Sequence, residues 1–208
     1  MSADTLRPRP FVWPSWIKRL LSGEDHCWWK AWYKAHYKYE KLPDGTNFKE
    51  WNEKHDAIVA RRAQQFRDRG WDVMVEEEAT FKLAGVAGDL QGKPDIVATH
   101  NGAVAIVSDA KSGKPRESDH WQVLIYLFAI PMTILKGYKD VQGEVEYPDR
   151  TVSVRLLGPV EVDRIAETMR TVTGDAVPTT TPSEFECRYC DVASCKDRVE
   201  PGDGKKYF

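Results

Sequence analysis

The chain has few cysteines and no long apolar run. Only four of its 208 residues are cysteine. The longest apolar candidate, residues 123–132, is far shorter than the roughly 20 residues that a membrane-spanning helix needs. The first ten residues contain no apolar core, so they do not predict a secretory signal. These absences predict a cytoplasmic protein with no membrane partner, in which disulfides are rare and cysteines are better interpreted as metal ligands.

The chain also lacks an excess of either charge. Its 30 lysines and arginines nearly balance 32 aspartates and glutamates, which leaves a net charge of −2. A histone-like or repressor-like protein would show a basic excess. An enzyme that grips a single strand of nucleic acid needs only a local basic patch, so the charge does not exclude that class. The length is enough for one domain with a sizeable core.

Hydrophobic periodicity and turn residues predict a mixture of helices and strands. We expect a loose arm over residues 1–10 and a turn at 43–45. The predicted helices cover residues 27–39, 48–69, 117–130 and 159–172. The predicted strands cover residues 71–83, 96–98, 104–107, 133–138, 141–147 and 151–157. Residues 174–184 are expected to form a linker, and the whole pattern is typical of an α/β or α+β protein.

A β-hairpin is predicted near the middle of the chain. The apolar runs at 96–98 and 104–107 flank the pair Asn101-Gly102. Asn-Gly between apolar runs strongly favours a tight turn. The turn would fold the second strand back onto the first. Residues just before the first strand would therefore lie close to residues at the end of the second.

Two carboxylates and a lysine lie at the open end of this predicted hairpin. Asp95 precedes the first strand and Asp109 follows the second, so we expect their side chains to approach each other. They would repel unless a cation lies between them, and a divalent metal ion with oxygen ligands is the natural partner. Lys111 shares a face with Asp109, because side chains alternate along a strand. Carboxylates, a metal ion and a lysine around one point predict a site that splits phosphodiesters.

These residues resemble the PD-(D/E)xK nuclease signature. Pro94-Asp95 matches its first part and Asp109-x-Lys111 its second. The Asp-x-Lys-Ser-Gly continuation is similar to the RecB-like branch of this family. The resemblance implies an α/β, restriction-endonuclease-like core, with a mixed central sheet flanked by helices. It also implies that Asp95, Asp109 and the backbone carbonyl of Ala110 hold magnesium or manganese.

Further positions match the RecB-like branch. His55, on a predicted helix, matches its first motif and is implied as a metal ligand, although Trp51 stands where the family often has glycine. An imidazole ligand favours manganese over magnesium. Gln122 and Tyr126 match a later box, and alone they also fit a helix that packs on the sheet. The resemblance implies that Gln122 acts near the metal or Lys111 and that Tyr126 steadies the DNA backbone.

The cysteines are arranged as one early residue and three late ones. Cys27 lies before the nuclease motifs, and Cys187, Cys190 and Cys195 follow them. On chemistry alone, four thiolates fit zinc or an iron–sulfur cluster equally. The arrangement resembles the iron–sulfur nucleases of this branch, which include the CRISPR-associated exonuclease family Cas four and the AddB nuclease domain. That resemblance implies a [4Fe–4S] cluster held by all four cysteines.

The resemblance covers nearly the whole chain and implies its organisation. It implies one nuclease domain over residues 1–208, with a core at 42–174. Residues 11–41 and 183–198 would together form the cluster-binding subregion.

The implied function is a metal-dependent DNA nuclease that acts on single-stranded ends or flaps. Its implied partners are DNA and proteins of CRISPR integration or recombination, in antiviral defence or repair. A non-catalytic DNA-binding scaffold with a structural zinc or iron–sulfur site is the alternative, and a zinc-dependent adaptor is a third. The intact Asp95, Asp109 and Lys111 favour the nuclease over the non-catalytic scaffold.

Overall fold

The computed structural model describes residues 4–42 and 48–199, so the expected turn at 43–45 lies outside the described residues. The strands are Thr5–Leu6 (β1), Phe11–Val12 (β2), Tyr37–Lys38 (β3), Asp72–Val75 (β4), Phe81–Ala84 (β5), Asp89–Gly92 (β6), Ile96–His100 (β7), Val104–Ala110 (β8), Asp140–Glu146 (β9) and Thr151–Val154 (β10). The helices are Pro14–Ser22 (α1), Trp28–His36 (α2), Phe48–Arg67 (α3), Glu117–Ala129 (α4), Pro159–Thr173 (α5) and Glu184–Arg188 (α6). Within these ranges, no helix is both long enough and apolar enough to cross a bilayer.

A five-stranded mixed sheet forms the centre of the molecule. Its strand order is β10-β9-β8-β7-β4, and only the β8–β9 pair is parallel. Ile96 and Ala98 on β7 pack with α3, whereas Val97 between them packs with the apolar cluster that contains α4. This alternation follows the two-residue period of a strand and places helices on both faces. The fold is a mixed α/β fold, consistent with the restriction-endonuclease-like core expected from the sequence.

The single strand predicted over residues 71–83 is wrong. The segment divides into β4 in the central sheet and β5 in a separate three-stranded sheet of order β2-β6-β5. A 3-10 turn, Glu76–Ala79, separates them. Glu76 has a φ of 47°, in the left-handed region that breaks an extended strand. The apolar alternation on either side of Glu76 does not reveal this break.

Two other local expectations are also corrected. The strand predicted over residues 133–138 is a series of turns, because the Leu135 amide bonds back to the Ile130 carbonyl and Gly137 has a φ of 93°. Within the arm expected to be loose, β1 pairs with β3, and this pairing ends α2 at His36 instead of residue 39. The helices expected at 48–69, 117–130 and 159–172 are present with small shifts at their ends.

A buried ion pair fastens α3 to the central sheet. The guanidinium of Arg62 donates from Nε and Nη2 to the two carboxylate oxygens of Glu144 on β9, each at 2.7 Å. Both side chains are buried, so the pair is shielded from solvent. Arg62 lies two helical turns after His55 and therefore shares a face with it. The ion pair thus sets how α3 presents His55 to the sheet.

We expect Arg62→Met to lower the free energy of unfolding by about 3–5 kcal/mol, because it leaves the Glu144 carboxylate buried without its counter-charge. Arg67→Met, at the exposed end of the same helix, should change it by less than about 0.5 kcal/mol. Urea unfolding of both variants beside the parent protein measures the difference. Equal effects of the two substitutions would contradict the anchoring role of Arg62.

Candidate active site

The predicted hairpin is confirmed, and its open end carries the two aspartates. Ile96 on β7 pairs with Ser108 on β8. At the other end, Asn101 and Gly102 both have positive φ, at 51° and 65°, as the tight turn requires. The carboxylate oxygen Oδ2 of Asp95 accepts a hydrogen bond from the Ala110 amide at 2.6 Å. The two strand ends are therefore joined at the expected place.

His55 and Glu76 reach Asp95 from two other elements. His55 Nε2, on α3, lies 3.2 Å from Asp95 Oδ2. Glu76 follows β4, and its amide donates to the Asp95 carbonyl at 3.0 Å. One ligand atom from each of the three residues lies within 4.8 Å of the others. A nitrogen and two carboxylate oxygens at this spacing can hold a divalent metal ion.

Sequence reasoning placed His55 here but missed Glu76. The only signal for Glu76 is its position at the end of a strand, in a run of three glutamates. A run of this kind is normally a solvated surface feature and does not show which member turns inward. The positive φ of Glu76 selects it, and that is a property of the folded backbone.

Trp51 fills the position where a glycine was expected. It lies one helical turn before His55, and its ring stacks on the imidazole with a centroid distance of 5.1 Å and an interplanar angle of 17°. The carboxylate of Asp95 raises the pKa of His55, although burial acts in the opposite direction. The stacked indole and the carboxylate together restrict the orientation of the imidazole.

Asp109 is buried beside Lys111. The ammonium of Lys111 donates to Asp109 Oδ2, and it lies 3.3 Å from the Ala110 carbonyl oxygen. Burial raises the pKa of Asp109 from 3.8 to about 6, against the opposing effect of Lys111, and the charge of Asp95 adds to the increase. Burial lowers the pKa of Lys111, but Asp109 and Asp95 outweigh it and the net shift is upward. Buried carboxylates that repel each other favour a bound cation.

Gln122 connects Asp109 to α4. Its amide nitrogen donates to Asp109 Oδ1 at 2.9 Å and to the Tyr126 hydroxyl at 3.0 Å. Lys18 on α1 donates to the amide oxygen of Gln122 at 2.8 Å, and this fixes which end of the amide faces Asp109. Lys18 was not anticipated, since no pattern in the sequence links α1 to the hairpin.

Tyr126 lies behind Gln122, and its expected contact with the DNA backbone stays a prediction. The side chain is only 3% exposed. Its hydroxyl donates to the Lys93 carbonyl at 3.3 Å, and its ring packs edge-on against Phe81. Gly92 lies against both rings, where a Cβ would come within 2.5 Å of Phe81. Tyr126 therefore supports Gln122 from behind.

The four cysteines line one small cavity together with residues of α2 and α6. Glu186 on α6 closes this region, because its carboxylate accepts the amide hydrogens of His26 and Cys27 at 2.9 and 3.2 Å. Among the described residues, no three cysteines bring their sulfur atoms all within 4.8 Å of one another. The structure thus gathers the four thiols around one space without clustering them as closely as the ligand atoms of the His55 group.

A family comparison decides the class of protein. Residues 18–195 match the model of the PD-(D/E)XK nuclease superfamily. The chain belongs to that superfamily. Nucleases of the PD-(D/E)XK superfamily hydrolyse phosphodiester bonds and use divalent metal ions, so the chain is expected to act on DNA with such a metal. The oxygen and imidazole ligands of His55, Glu76 and Asp95 fit this requirement.

Other comparisons add little. The fold is similar to that in the crystal structure of SSO0001, with a TM-score of 0.49 and 13% sequence identity over 94% of this chain and 90% of that one. A likeness this distant supports no further argument. No protein with a curated function matches the chain significantly in sequence.

We expect manganese or magnesium to raise the melting temperature of the protein at pH 7.5 and to raise it much less at pH 5. With its pKa near 6, Asp109 is largely protonated at pH 5 and attracts a cation weakly. Protonation of His55 acts in the same direction. Differential scanning fluorimetry across pH, with and without metal, measures the effect.

Stabilisation by metal should grow as the pH rises, whereas the stability of the metal-free protein should fall. The pKa of Asp109 is higher in the folded state, so folding binds protons between about pH 4 and 6 and stability falls as the pH rises through that window. Asp109→Asn should remove this fall, and Asp163→Asn, an exposed control on α5, should keep it. A fall that is unchanged in Asp109→Asn would show that another group is responsible.

Proposed function

We propose that the protein hydrolyses phosphodiester bonds in single-stranded DNA, at ends or flaps, with manganese or magnesium. The proposal rests on one observation: five polar side chains converge at the open end of the hairpin. They are His55, Glu76, Asp95, Asp109 and Lys111. All but Glu76 have a side-chain hydrogen-bond partner that orients them, and membership of the superfamily supplies the reaction class.

His55, Glu76 and Asp95 would hold the metal, with Asp109 and the Ala110 carbonyl beside them. When bound, a divalent metal ion polarises a phosphoryl oxygen and makes water more acidic. The imidazole of His55 supports a preference for manganese.

Lys111 would stabilise negative charge that develops on the phosphoryl group. Its raised pKa keeps the ammonium charged at neutral pH. Asp109 orients that ammonium, and Gln122 holds the other carboxylate oxygen of Asp109. A charged group that is already oriented needs little reorganisation during the reaction.

The proposal includes a [4Fe–4S] cluster held by Cys27, Cys187, Cys190 and Cys195. Their shared cavity supports a common site. A single tetrahedral zinc, with Zn–S bonds of about 2.3 Å, places its four sulfurs about 3.8 Å apart. In every trio of these cysteines at least one pair of sulfurs is more than 4.8 Å apart, which favours the larger iron–sulfur cluster. A reducing compartment such as the cytoplasm suits free thiols of this kind.

The proposal also covers the domain organisation of the chain. A single nuclease domain would place its core over residues 42–174, and residues 11–41 and 183–198 would form the cluster-binding subregion. DNA would be the principal partner, with CRISPR integration or recombination proteins as the wider setting.

Asp109→Asn and Lys111→Met should each lower cleavage of end-labelled single-stranded DNA by about a hundredfold or more, because each removes an interaction with the reacting centre. EDTA should abolish cleavage. Lys136→Met, an exposed lysine away from the site, is the matched control. Product lengths on denaturing gels separate stepwise removal of nucleotides from internal cuts. Full cleavage by either site variant would disprove the assignment, and binding without any cleavage by the parent protein would indicate a scaffold.

Cys187→Ala and Cys27→Ala should each give a colourless protein with a lowered melting temperature, because one cluster would tie both segments together. Iron and zinc contents, absorbance near about 400 nm and thermal melting of oxygen-free preparations are the measurements. If the parent protein contains zinc and no iron, the four cysteines hold a structural zinc ion and the proposed cluster is wrong. Full iron and native melting in either variant would show that the four cysteines do not share a site.

A further inference from the structure

We propose that one continuous groove leads the single strand from the hydrolytic site to the cysteine cavity, and that Phe185 and Tyr189 stack on its bases. We call this surface the strand groove. The inference rests on the proposed function, since the hydrolytic site defines one end of the groove.

The strand groove consists of two adjoining clefts. The first lies at the hydrolytic site, where Lys111 and Trp51 form part of its wall. The second extends to Phe185 and Tyr189 on and beside α6. Arg19 and Arg116 line both clefts, so the two adjoin at these side chains.

The far end of the strand groove adjoins the cysteine cavity. Lys30 and Glu186 line the second cleft and also the cavity that holds the four cysteines. Glu186 in turn bonds the amides of His26 and Cys27. The position of the aromatic pair therefore depends on how the cysteine segment is held.

The strand groove is basic in a chain that is slightly acidic overall. Seven lining residues are basic and three are acidic. The basic residues are Lys18, Arg19, Lys30, Lys34, Lys111, Lys114 and Arg116. The acidic residues are Asp25, Asp119 and Glu186. Five of these basic residues pair with carboxylates, so the charge left to meet a phosphate backbone is mainly that of Lys114 and Arg116.

The acidic residues of the groove are already bonded within the protein. Asp25 pairs with Arg19 at 2.8 Å and with Lys30 at 2.6 Å. In contrast, Lys114 and Arg116 are exposed, and no carboxylate in the described part of the chain lies within ion-pair distance of either. These two cations lie beside Lys111, where they can meet phosphates next to the one being cut.

The aromatic residues favour a single strand over a duplex. Phe185 and Tyr189 are 58% and 68% exposed, and their rings meet edge-on at 5.5 Å. A guanidinium lies near each ring, that of Arg19 at 6.0 Å from Phe185 and that of Arg188 at 5.9 Å from Tyr189, and both rings keep most of their surface open to solvent. Bases can stack on them only when the bases are unpaired. Trp51, also exposed, offers a further ring at the hydrolytic end of the groove.

Equilibrium binding in EDTA tests the strand groove without any cleavage. The probes are a fluorescent 20-nucleotide single strand and the duplex of the same sequence. Combined Phe185→Ala and Tyr189→Ala substitution should weaken single-strand binding about tenfold or more, in the range that loss of base stacking produces. Arg116→Ala should weaken it as well and reduce its salt dependence, without touching the cysteine segment. Leu156→Ala, an exposed apolar residue outside the groove, should have no effect.

A small phosphodiester, bis(p-nitrophenyl) phosphate, separates the groove from the chemistry. Its hydrolysis in manganese should be unchanged in the aromatic variant, whose iron content and melting temperature are measured alongside. The inference would be overturned if the aromatic variant and Arg116→Ala both bound the single strand as the parent does. It would also be overturned if these variants lost duplex binding as much as single-strand binding. The parent protein could cleave neither substrate while the variants still bind the single strand more weakly than the parent does. In that case the proposed function fails and the strand groove stands.

Discussion

The register of the β7–β8 hairpin is the constraint on which the site depends. The Asn101-Gly102 turn allows Ile96 to pair with Ser108, and the Asp95–Ala110 hydrogen bond closes the opposite end. A slip of one residue would move every side chain of one strand to the other face of the sheet. Asp109 would then point away from Gln122, and the carboxylates would no longer share a site. Local turn chemistry thus determines where the proposed metal ligands meet.

Helix α4 supports the site because its buried polar groups are bonded to partners. Ser118 bonds to Glu24, Asp119 accepts from Tyr147, and Gln122 donates to Asp109. Buried polar groups without partners would cost free energy, so these bonds fix the rotation of α4 about its axis. The same helix buries apolar residues against the central sheet. One helix therefore connects the N-terminal region, the sheet and the residues of the candidate active site.

Much of the site could be predicted from sequence because its central part is local. Asp95, Asp109 and Lys111 lie on one hairpin whose Asn-Gly turn can be recognised in the sequence. Pairing of the two strands then places Asp95 close to Asp109 and Lys111. Glu76 and Lys18 could not be predicted, since a left-handed residue positions the first and a separate helix the second. Tyr126 shows a different limit: its spacing from Gln122 was correct, but burial against Gly92 and Phe81 decides what it contacts. The division of residues 71–83 between two sheets is likewise decided by tertiary packing.

The bonds from Glu186 to His26 and Cys27 have a consequence for biosynthesis. They join residues 160 and 159 positions apart, so Glu186 is synthesised long after its two partners. The hairpin, α3 and α4 lie entirely before residue 130 and can pair while synthesis continues. Closing so long a loop is the slower and later step. A nascent chain would therefore pair β7 with β8 before α6 is synthesised, so the hairpin that carries Asp95 and Asp109 can form independently of the surface beside α6.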